Sequence, residues 1–174
     1  MTMQTDVKQA RLTQSGWIVQ GPGRVKGVSL RSNGSAAGRV FLFDTTTAPV
    51  TATYGQSTTT VTITSTAHGL STGDTVSIGY VPDASNRAAT CGTYTITKTG
   101  ADTFTITDPN SFTVTASTAC YYVSGTNRWI YVKGVSAADQ YVNYELLPGE
   151  GLLARNKVYV NVLGGMQSCI VYYG

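Results

Sequence analysis

The sequence predicts an all-β protein: an antiparallel β-sandwich interrupted by a smaller inserted β module. Apolar and hydroxyl residues alternate through the middle of the chain, as in Val61-Thr62-Ile63-Thr64 and Phe104-Thr105-Ile106-Thr107. Alternation with a period of two gives strands with one buried face and one wet face. Short apolar runs punctuated by glycine flank this middle on both sides, and no segment carries a convincing helical period. Together these observations favour strands throughout.

The N-terminal segment contains three predicted strands, at residues 16–19, 24–30 and 39–44. Asn33-Gly34-Ser35 separates the last two and is a turn signal, so these two strands are predicted to form a hairpin. The polar stretch from Thr2 to Ala10 precedes the first strand and is predicted to be an arm that orders on a partner.

The C-terminal segment contains four predicted strands, at residues 129–132, 141–146, 157–162 and 169–173. Pro148-Gly149-Glu150-Gly151 and Gly164-Gly165 punctuate them. Neither segment alone has enough strands to close a sandwich, but together they supply about seven, a usual number for two packed antiparallel sheets. The sequence therefore predicts an outer sandwich of residues 1–50 plus 126–174, with residues 51–125 inserted at one loop.

Composition narrows the class of protein. Hydrophobic residues make up 41% of the 174 residues, which excludes a disordered chain, whereas charged residues make up only 12%. A net charge of +3 is too small to indicate nucleic-acid binding. No stretch is long and apolar enough to span a bilayer, and the first residues lack the regions of a signal peptide. We therefore expect synthesis in a cytoplasm, with neither membrane nor nucleic acid as partner.

The residues that carry most enzyme chemistry have structural interpretations here. His68 is the single histidine, and Ala67-His68-Gly69-Leu70 is typical of a turn in which Gly69 takes a positive φ. The aspartates of the middle segment mostly lie beside Gly, Pro or Asn, where aspartate satisfies turn backbone: Asp74, Asp83, Asp102 and Asp108. Spacing selects no pair of carboxylates for glycoside hydrolysis. We expect no enzyme activity, cofactor or metal.

The three cysteines, Cys91, Cys120 and Cys169, have no metal-ligand spacing. A reducing cytoplasm favours free thiols. A disulfide between Cys91 and Cys120, which both fall in the middle module, is the alternative that the sequence leaves open.

The order of turns and strands in the middle segment resembles a known module. A His-Gly-Leu turn at His68 is followed by a Gly-Asp turn at Gly73, a Gly-x-Tyr strand at Gly92 and an Asp-x-Phe strand at Asp102. This order is similar to the small β module repeated in bacteriophage tail and virion proteins. The outer segments resemble small phage virion proteins through Gly21-Pro22-Gly23-Arg24, Leu147-Pro148-Gly149-Glu150-Gly151 and the final Val-Tyr-Tyr-Gly.

The resemblance implies a non-enzymatic structural protein located in the virion. The foremost expectation is a capsid decoration or cement protein that docks on the major capsid protein and bridges subunits, as a symmetric oligomer such as a trimer. A neck, tail or fibre-base protein is the second expectation. The third is a carbohydrate-binding adhesin whose exposed Tyr and Trp rings stack on sugars.

The predicted partner contacts are of two kinds. Arg24 and Lys26 lie on one predicted strand and would share a face, which is either a docking patch for an acidic surface or an ordinary solvated face. The tyrosine pairs supply contact area at low entropic cost: Tyr121, Tyr122, Tyr172 and Tyr173. The alternative is that one ring of each pair lies in a core and the other is exposed.

Overall fold

The computed structural model describes residues 7–137 and 143–174, and its regular elements are all strands. The predicted all-β class is confirmed. The chain divides into two compact units. The first unit combines the chain up to Thr46 with the chain from Ile130 onward, and the second is Thr47–Trp129. These limits lie a few residues from the sequence-based boundaries at 50/51 and 125/126. No helix among the described residues is long and apolar enough to cross a membrane.

Sixteen strands are described. In chain order they are β1 (Lys8–Leu12), β2 (Gly16–Val19), β3 (Gly23–Ser32), β4 (Gly38–Thr45), β5 (Val50–Ser57), β6 (Thr60–Thr64), β7 (Thr75–Tyr80), β8 (Gly92–Thr95), β9 (Thr97–Lys98), β10 (Thr103–Thr107), β11 (Val114–Ser124), β12 (Arg128–Val135), β13 (Asn143–Leu146), β14 (Leu152–Ala154), β15 (Lys157–Gly164) and β16 (Met166–Tyr173).

The first unit is a sandwich of two sheets. One sheet has the order β1-β16-β3-β13, with β14 also paired to β3, and the other has the order β12-β4-β15-β2. Both sheets contribute to one core cluster: Val28, Leu30 and Val171 from the first, Leu42 and Val160 from the second. Each of these side chains is fully buried, and burying one is worth about 1.5–3 kcal/mol.

Three details of the outer segments differ from the prediction. The predicted hairpin is wrong, because β3 and β4 belong to different sheets and the Asn33-Gly34-Ser35 turn carries the chain from one sheet to the other. A turn signal marks a reversal but not which strand pairs with which. Among the described residues the two sheets contain nine strands rather than about seven, because the sequence prediction missed β1 and the three-residue β14. Residues 8–10 of the predicted arm belong to β1, whereas residues 2–6 of that arm lie outside the described residues.

The second unit is a sheet of order β8-β7-β11-β5-β6-β10-β9 that nearly closes on itself. Its two terminal strands, β8 and β9, are consecutive in the chain and separated by Ile96 alone. The backbone of Ile96 bonds to Asp74 and Gly73, and its side chain is buried. The inward residues form a separate core with Ile63, Phe104 and Ile106, while the alternating threonines face outward. We refer to this unit as the barrel unit.

Candidate functional site

The outward surface of the first sheet carries a group of apolar side chains, which we call the tyrosine face: Tyr144, Leu146, Ile170 and Tyr172. The core residues of β16 and β3 alternate with outward ones, so Ile170 and Tyr172 point away from the core. In register, Tyr144 and Ile170 flank Ser29, while Leu146 and Tyr172 flank Gly27. Tyr144 is 52% exposed and Leu146 65%. Exposed apolar side chains gathered on one face indicate an interaction surface.

A glycine allows the two tyrosines of this face to meet across β3. The rings of Tyr144 and Tyr172 are edge to face, with centroids 5.5 Å apart and planes at 88°. A Cβ on Gly27 would lie 3.2 Å from the Tyr144 hydroxyl oxygen and 3.0 Å from the carbonyl oxygen of Glu145. The Tyr144 ring therefore occupies space that a side chain at residue 27 would take. An edge-to-face pair adds about 0.5–1.5 kcal/mol and restricts both rings.

Strand β13, which carries Tyr144 and Leu146, is held to β12 through Glu145. The Glu145 carboxylate pairs with Lys133 and accepts a hydrogen bond from Tyr131. The Lys133 and Tyr131 hydrogen bonds lower the pKa of Glu145 below its ordinary value. Burial, followed by the interaction with Glu145, raises the pKa of Tyr131. Glu145 thus points to β12, and its two apolar neighbours, Tyr144 and Leu146, point outward.

The predicted basic residues Arg24 and Lys26 both contact one residue, Glu150. Arg24 pairs with Glu150 at 3.0 Å, and Lys26 donates a hydrogen bond to the carbonyl oxygen of Glu150 at 3.0 Å. A bulge also falls at this point, because Tyr172 pairs with Gly27 and Tyr173 with Val25, which leaves Lys26 as the extra residue. Arg24 and Lys26 therefore lie close together, as the sequence predicts. Their role as partner contacts stays a prediction.

Strand alternation places two further arginines on the same surface. Arg11 lies opposite Ile170, and Arg31 lies opposite Ser168 in the outward-facing set of β3. Among the described residues, this surface therefore presents four cations beside its apolar centre and one carboxylate, Glu150. The surface is positive, unlike the barrel unit's threonine-covered exterior.

The four predicted tyrosines have different surroundings. Tyr122 is only 3% exposed; its hydroxyl shares a hydrogen bond with Ser65 at 3.0 Å and its ring packs edge-on against Phe104. The prediction of Tyr122 as a contact is therefore corrected to a core role, because its inward position on β11 points into the barrel core. Tyr121 is half-buried on the other face of β11. Tyr172 belongs to the tyrosine face, whereas alternation directs the half-buried Tyr173 to the opposite side of β16.

The contacts predicted from the sequence do not include Tyr144, Leu146 or Ile170. One signal was present in Tyr144-Glu145-Leu146, where a charged residue alternates with two apolar ones on a strand. Alternation alone does not say which set faces outward, and hydrophobicity favours the wrong choice. The ion pair between Glu145 and Lys133 decides the direction, and it depends on a contact between separate strands.

Every aspartate among the described residues accepts a backbone N–H. Asp108, which is fully buried, accepts from Thr90 and Asn110, and Asp44, 1% exposed, accepts from Arg155 and Asn156. The other three do the same in turns: Asp74 from Ser71, Asp83 from Ser85 and Arg87, and Asp102 from Ala67. These carboxylates satisfy turn backbone, in agreement with the sequence pattern.

His68 also has a local structural role. Its Nδ1 accepts a hydrogen bond from the backbone N–H of Leu70 at 3.0 Å, and its ring packs edge-on against Phe104 with centroids 5.2 Å apart. Gly69 has a φ of +67°, as the sequence predicts. The described residues contain no group of three or more metal-binding side chains.

All three cysteines are free thiols, which favours the first of the two sequence-based alternatives for Cys91 and Cys120. Cys120 and Cys169 are fully buried, one in each core cluster. Burial raises the pKa of the Cys169 thiol to about 12 and that of Cys120 still further.

Comparison with known proteins adds little to this geometry. No family model matches the chain, and no curated protein matches it. Among solved structures, the phage phi92 endosialidase is similar over 78% of this chain and 21% of its own, with 18% sequence identity and a TM-score of 0.31. The chain thus spans about a fifth of that protein's length. Function has to be argued from the chain's own residues.

Proposed function

We propose that this chain is a non-enzymatic structural protein of a bacteriophage virion, and that it decorates the capsid by docking through the tyrosine face. The observation that carries the proposal is this face itself: Tyr144 and Leu146 are more than half exposed on a sheet whose opposite side is a complete core. Tyrosine at the centre and charges at the rim are typical of protein interfaces.

The charges of the surface favour an acidic partner. Arg11, Arg24, Lys26 and Arg31 accompany the apolar centre, and Glu150 offsets only part of their charge. Electrostatic complementarity speeds association and fixes orientation. The expected partner is a major capsid protein with an acidic rim around an apolar patch, and a symmetric oligomer such as a trimer would let one chain assembly bridge several capsid subunits.

A structural role is also consistent with the use of the carboxylates. Among the described residues, each aspartate accepts a backbone N–H, and both glutamates are in ion pairs, Glu145 with Lys133 and Glu150 with Arg24. A general acid or base must instead face a substrate cavity with a proton to exchange. These groups are committed to holding turns and strands.

The test is co-sedimentation of the purified chain with emptied, tailless heads of the virus that encodes it. Binding to heads that is lost in a Tyr144→Ser/Leu146→Ser variant supports docking by the tyrosine face. The matched control is Val50→Ser, because Val50 is 45% exposed but belongs to the barrel unit. Circular dichroism checks that both variants remain folded.

Other outcomes overturn the proposal in different ways. Binding to tails and not to heads replaces decoration by the neck, tail or fibre-base alternative. Binding to heads that the double variant leaves unchanged rejects the tyrosine face as the docking surface. Binding to no part of the particle rejects a virion role.

A further inference from the structure

The barrel unit has a groove on its surface that is separate from the tyrosine face. The groove has a volume of about 410 Å³, within the range of small-ligand sites. It lies over three neighbouring strands in the order β11-β5-β6, and it is lined by Thr53, Tyr54, Gly55, Gln56, Ser57, Thr60, Thr62, Thr64, Val114, Ala116 and Ser117.

A bulge in β11 forms one wall of the groove. Val114 pairs with Gln56 and Thr118 with Tyr54, so three residues of β11 face a single residue, Gly55, on β5. Ser117 adopts a φ of +75°, which is unusual for a residue other than glycine. The backbone of Ala116 lies so close to Gly55 that a Cβ there would be 2.9 Å from the Ala116 Cα. Bulges are enriched at sheet edges, at the rims of barrels and next to active sites, and strained backbone is enriched at ligand-binding sites.

The chemistry of the lining is neutral and rich in hydroxyls. None of the lining residues carries a formal charge, and six have a side-chain hydroxyl on the wet face or the bulge: Thr53, Ser57, Thr60, Thr62, Thr64 and Ser117. Thr60, Thr62 and Thr64 alternate along β6, so their hydroxyls repeat about every 6.8 Å. Hydroxyls both donate and accept hydrogen bonds.

One lining residue has an unused acceptor. Gln56 is 3% exposed, and its Nε2 donates to the carbonyl oxygens of Thr58 and Asn110. Its Oε1 is buried and has no hydrogen-bond partner among the described residues. Gln56 alternates along β5 with the buried Ala52 and Tyr54, so this acceptor lies on the inward side of the strand and is not available to a ligand held by the outward threonines.

We propose that this groove binds a neutral oligosaccharide through hydrogen bonds from its threonine hydroxyls. A polyhydroxylated, uncharged ligand matches the lining, whereas an anionic one would find no cation there. The groove lacks a stacking platform, since its one aromatic residue, Tyr54, is buried and its hydroxyl donates to the carbonyl oxygen of Val81. Without ring stacking we expect a weak site, with a Kd on the order of 1 mM.

The experiment is a titration of the full-length, ¹⁵N-labelled chain followed by amide chemical shifts. The probes are maltotetraose and chitotriose as neutral saccharides, tetragalacturonate as an acidic one, and the peptide Thr-Val-Thr-Ile-Thr as a hydroxyl-rich ligand that is not a saccharide. The expected result is saturable shifts with the neutral saccharides, largest at Gly55, Thr62 and Ser117.

Matched variants separate the groove from the rest of the threonine surface. Thr62→Val/Thr64→Val keeps the β-branched shape but removes two hydroxyls, and should weaken binding about tenfold, the loss of about 1.4 kcal/mol. Thr95→Val, on exposed β8 outside the groove, should leave binding unchanged. Shifts only with tetragalacturonate or the peptide, shifts unaffected by the double variant, or no shifts with any probe would each overturn the proposal. None of these outcomes bears on docking through the tyrosine face.

Discussion

The ring of Tyr144 reaches the ring of Tyr172 across the intervening strand β3, with centroids 5.5 Å apart. The two residues are 28 positions apart in the sequence and belong to strands that are not neighbours in the sheet. They meet because Gly27 lies between them without a side chain. This pair gives the exposed surface a fixed arrangement before any partner binds, which reduces the entropic cost of association.

Replacing Gly27 tests this arrangement. In Gly27→Ala the new methyl group would lie 3.0 Å from the carbonyl oxygen of Glu145 and 3.2 Å from the Tyr144 hydroxyl, so β13 and the ring must each shift by a few tenths of an ångström. We expect a loss of about 1–3 kcal/mol in the free energy of unfolding and weaker docking on capsids. The control is Gly134→Ala in β12, where the nearest atom would be 3.6 Å away. Urea denaturation measures the free energy of unfolding of both variants, and equal stability of the two variants would contradict the prediction.

Two buried aspartates allow each unit to be destabilised separately. Asp44 accepts backbone bonds in the sandwich and Asp108 in the barrel unit, and the two units have separate core clusters. Replacing either aspartate by Asn puts an NH₂ donor where a carboxylate oxygen accepts a backbone N–H. We expect each replacement to lower the free energy of unfolding by about 1–3 kcal/mol. We expect Asp44→Asn to speed amide exchange in the sandwich only, and Asp108→Asn in the barrel unit only. Hydrogen exchange read by mass spectrometry checks this, and faster exchange in both units with either variant would contradict it.

The sequence predicts the barrel unit better than the sandwich surface. Period-two alternation at Val61-Thr62-Ile63-Thr64 assigns both faces correctly, because apolar residues there are all inward. The same rule fails at Tyr144-Glu145-Leu146, where the inward position is charged and the outward ones are apolar. Long-range contacts decide such cases: Lys133 gives Glu145 its counter-ion, and Gly27 gives Tyr144 its space. Similarly, the turn at Asn33-Gly34 does not reveal that its two strands lie in different sheets.

Because two of the thiols are buried, we expect their labelling to be slow. The labelling rate should rise only at a higher pH than for an exposed thiol. The Cys169 pKa of about 12 leaves roughly one thiolate in 10⁴ molecules at pH 8, whereas an ordinary thiol ionises near pH 8.5. Because the unfolded thiol ionises first, the stabilising effect of burial is full below about pH 8 and is lost as pH rises from there toward about 12. We expect Cys120 and Cys169 to react with a disulfide reagent at the rate of unfolding. Prompt reaction of all three cysteines in the native protein would contradict this.

The carboxylate of Glu145 links the orientation of β13 to pH. Its hydrogen bonds with Lys133 and Tyr131 lower its pKa below the ordinary 4.5, so its contribution to stability is present above that value and is lost as pH falls through the lowered pKa. We expect carboxyl ¹³C NMR to give Glu145 a midpoint below 4.5, and Lys133→Met to return it toward 4.5. Lys157→Met, which removes a cation near Trp17 instead, should leave the midpoint unchanged. If Lys133→Met has no effect on the midpoint, then Glu145 does not hold β13 to β12, and the outward position of Tyr144 and Leu146 needs another cause.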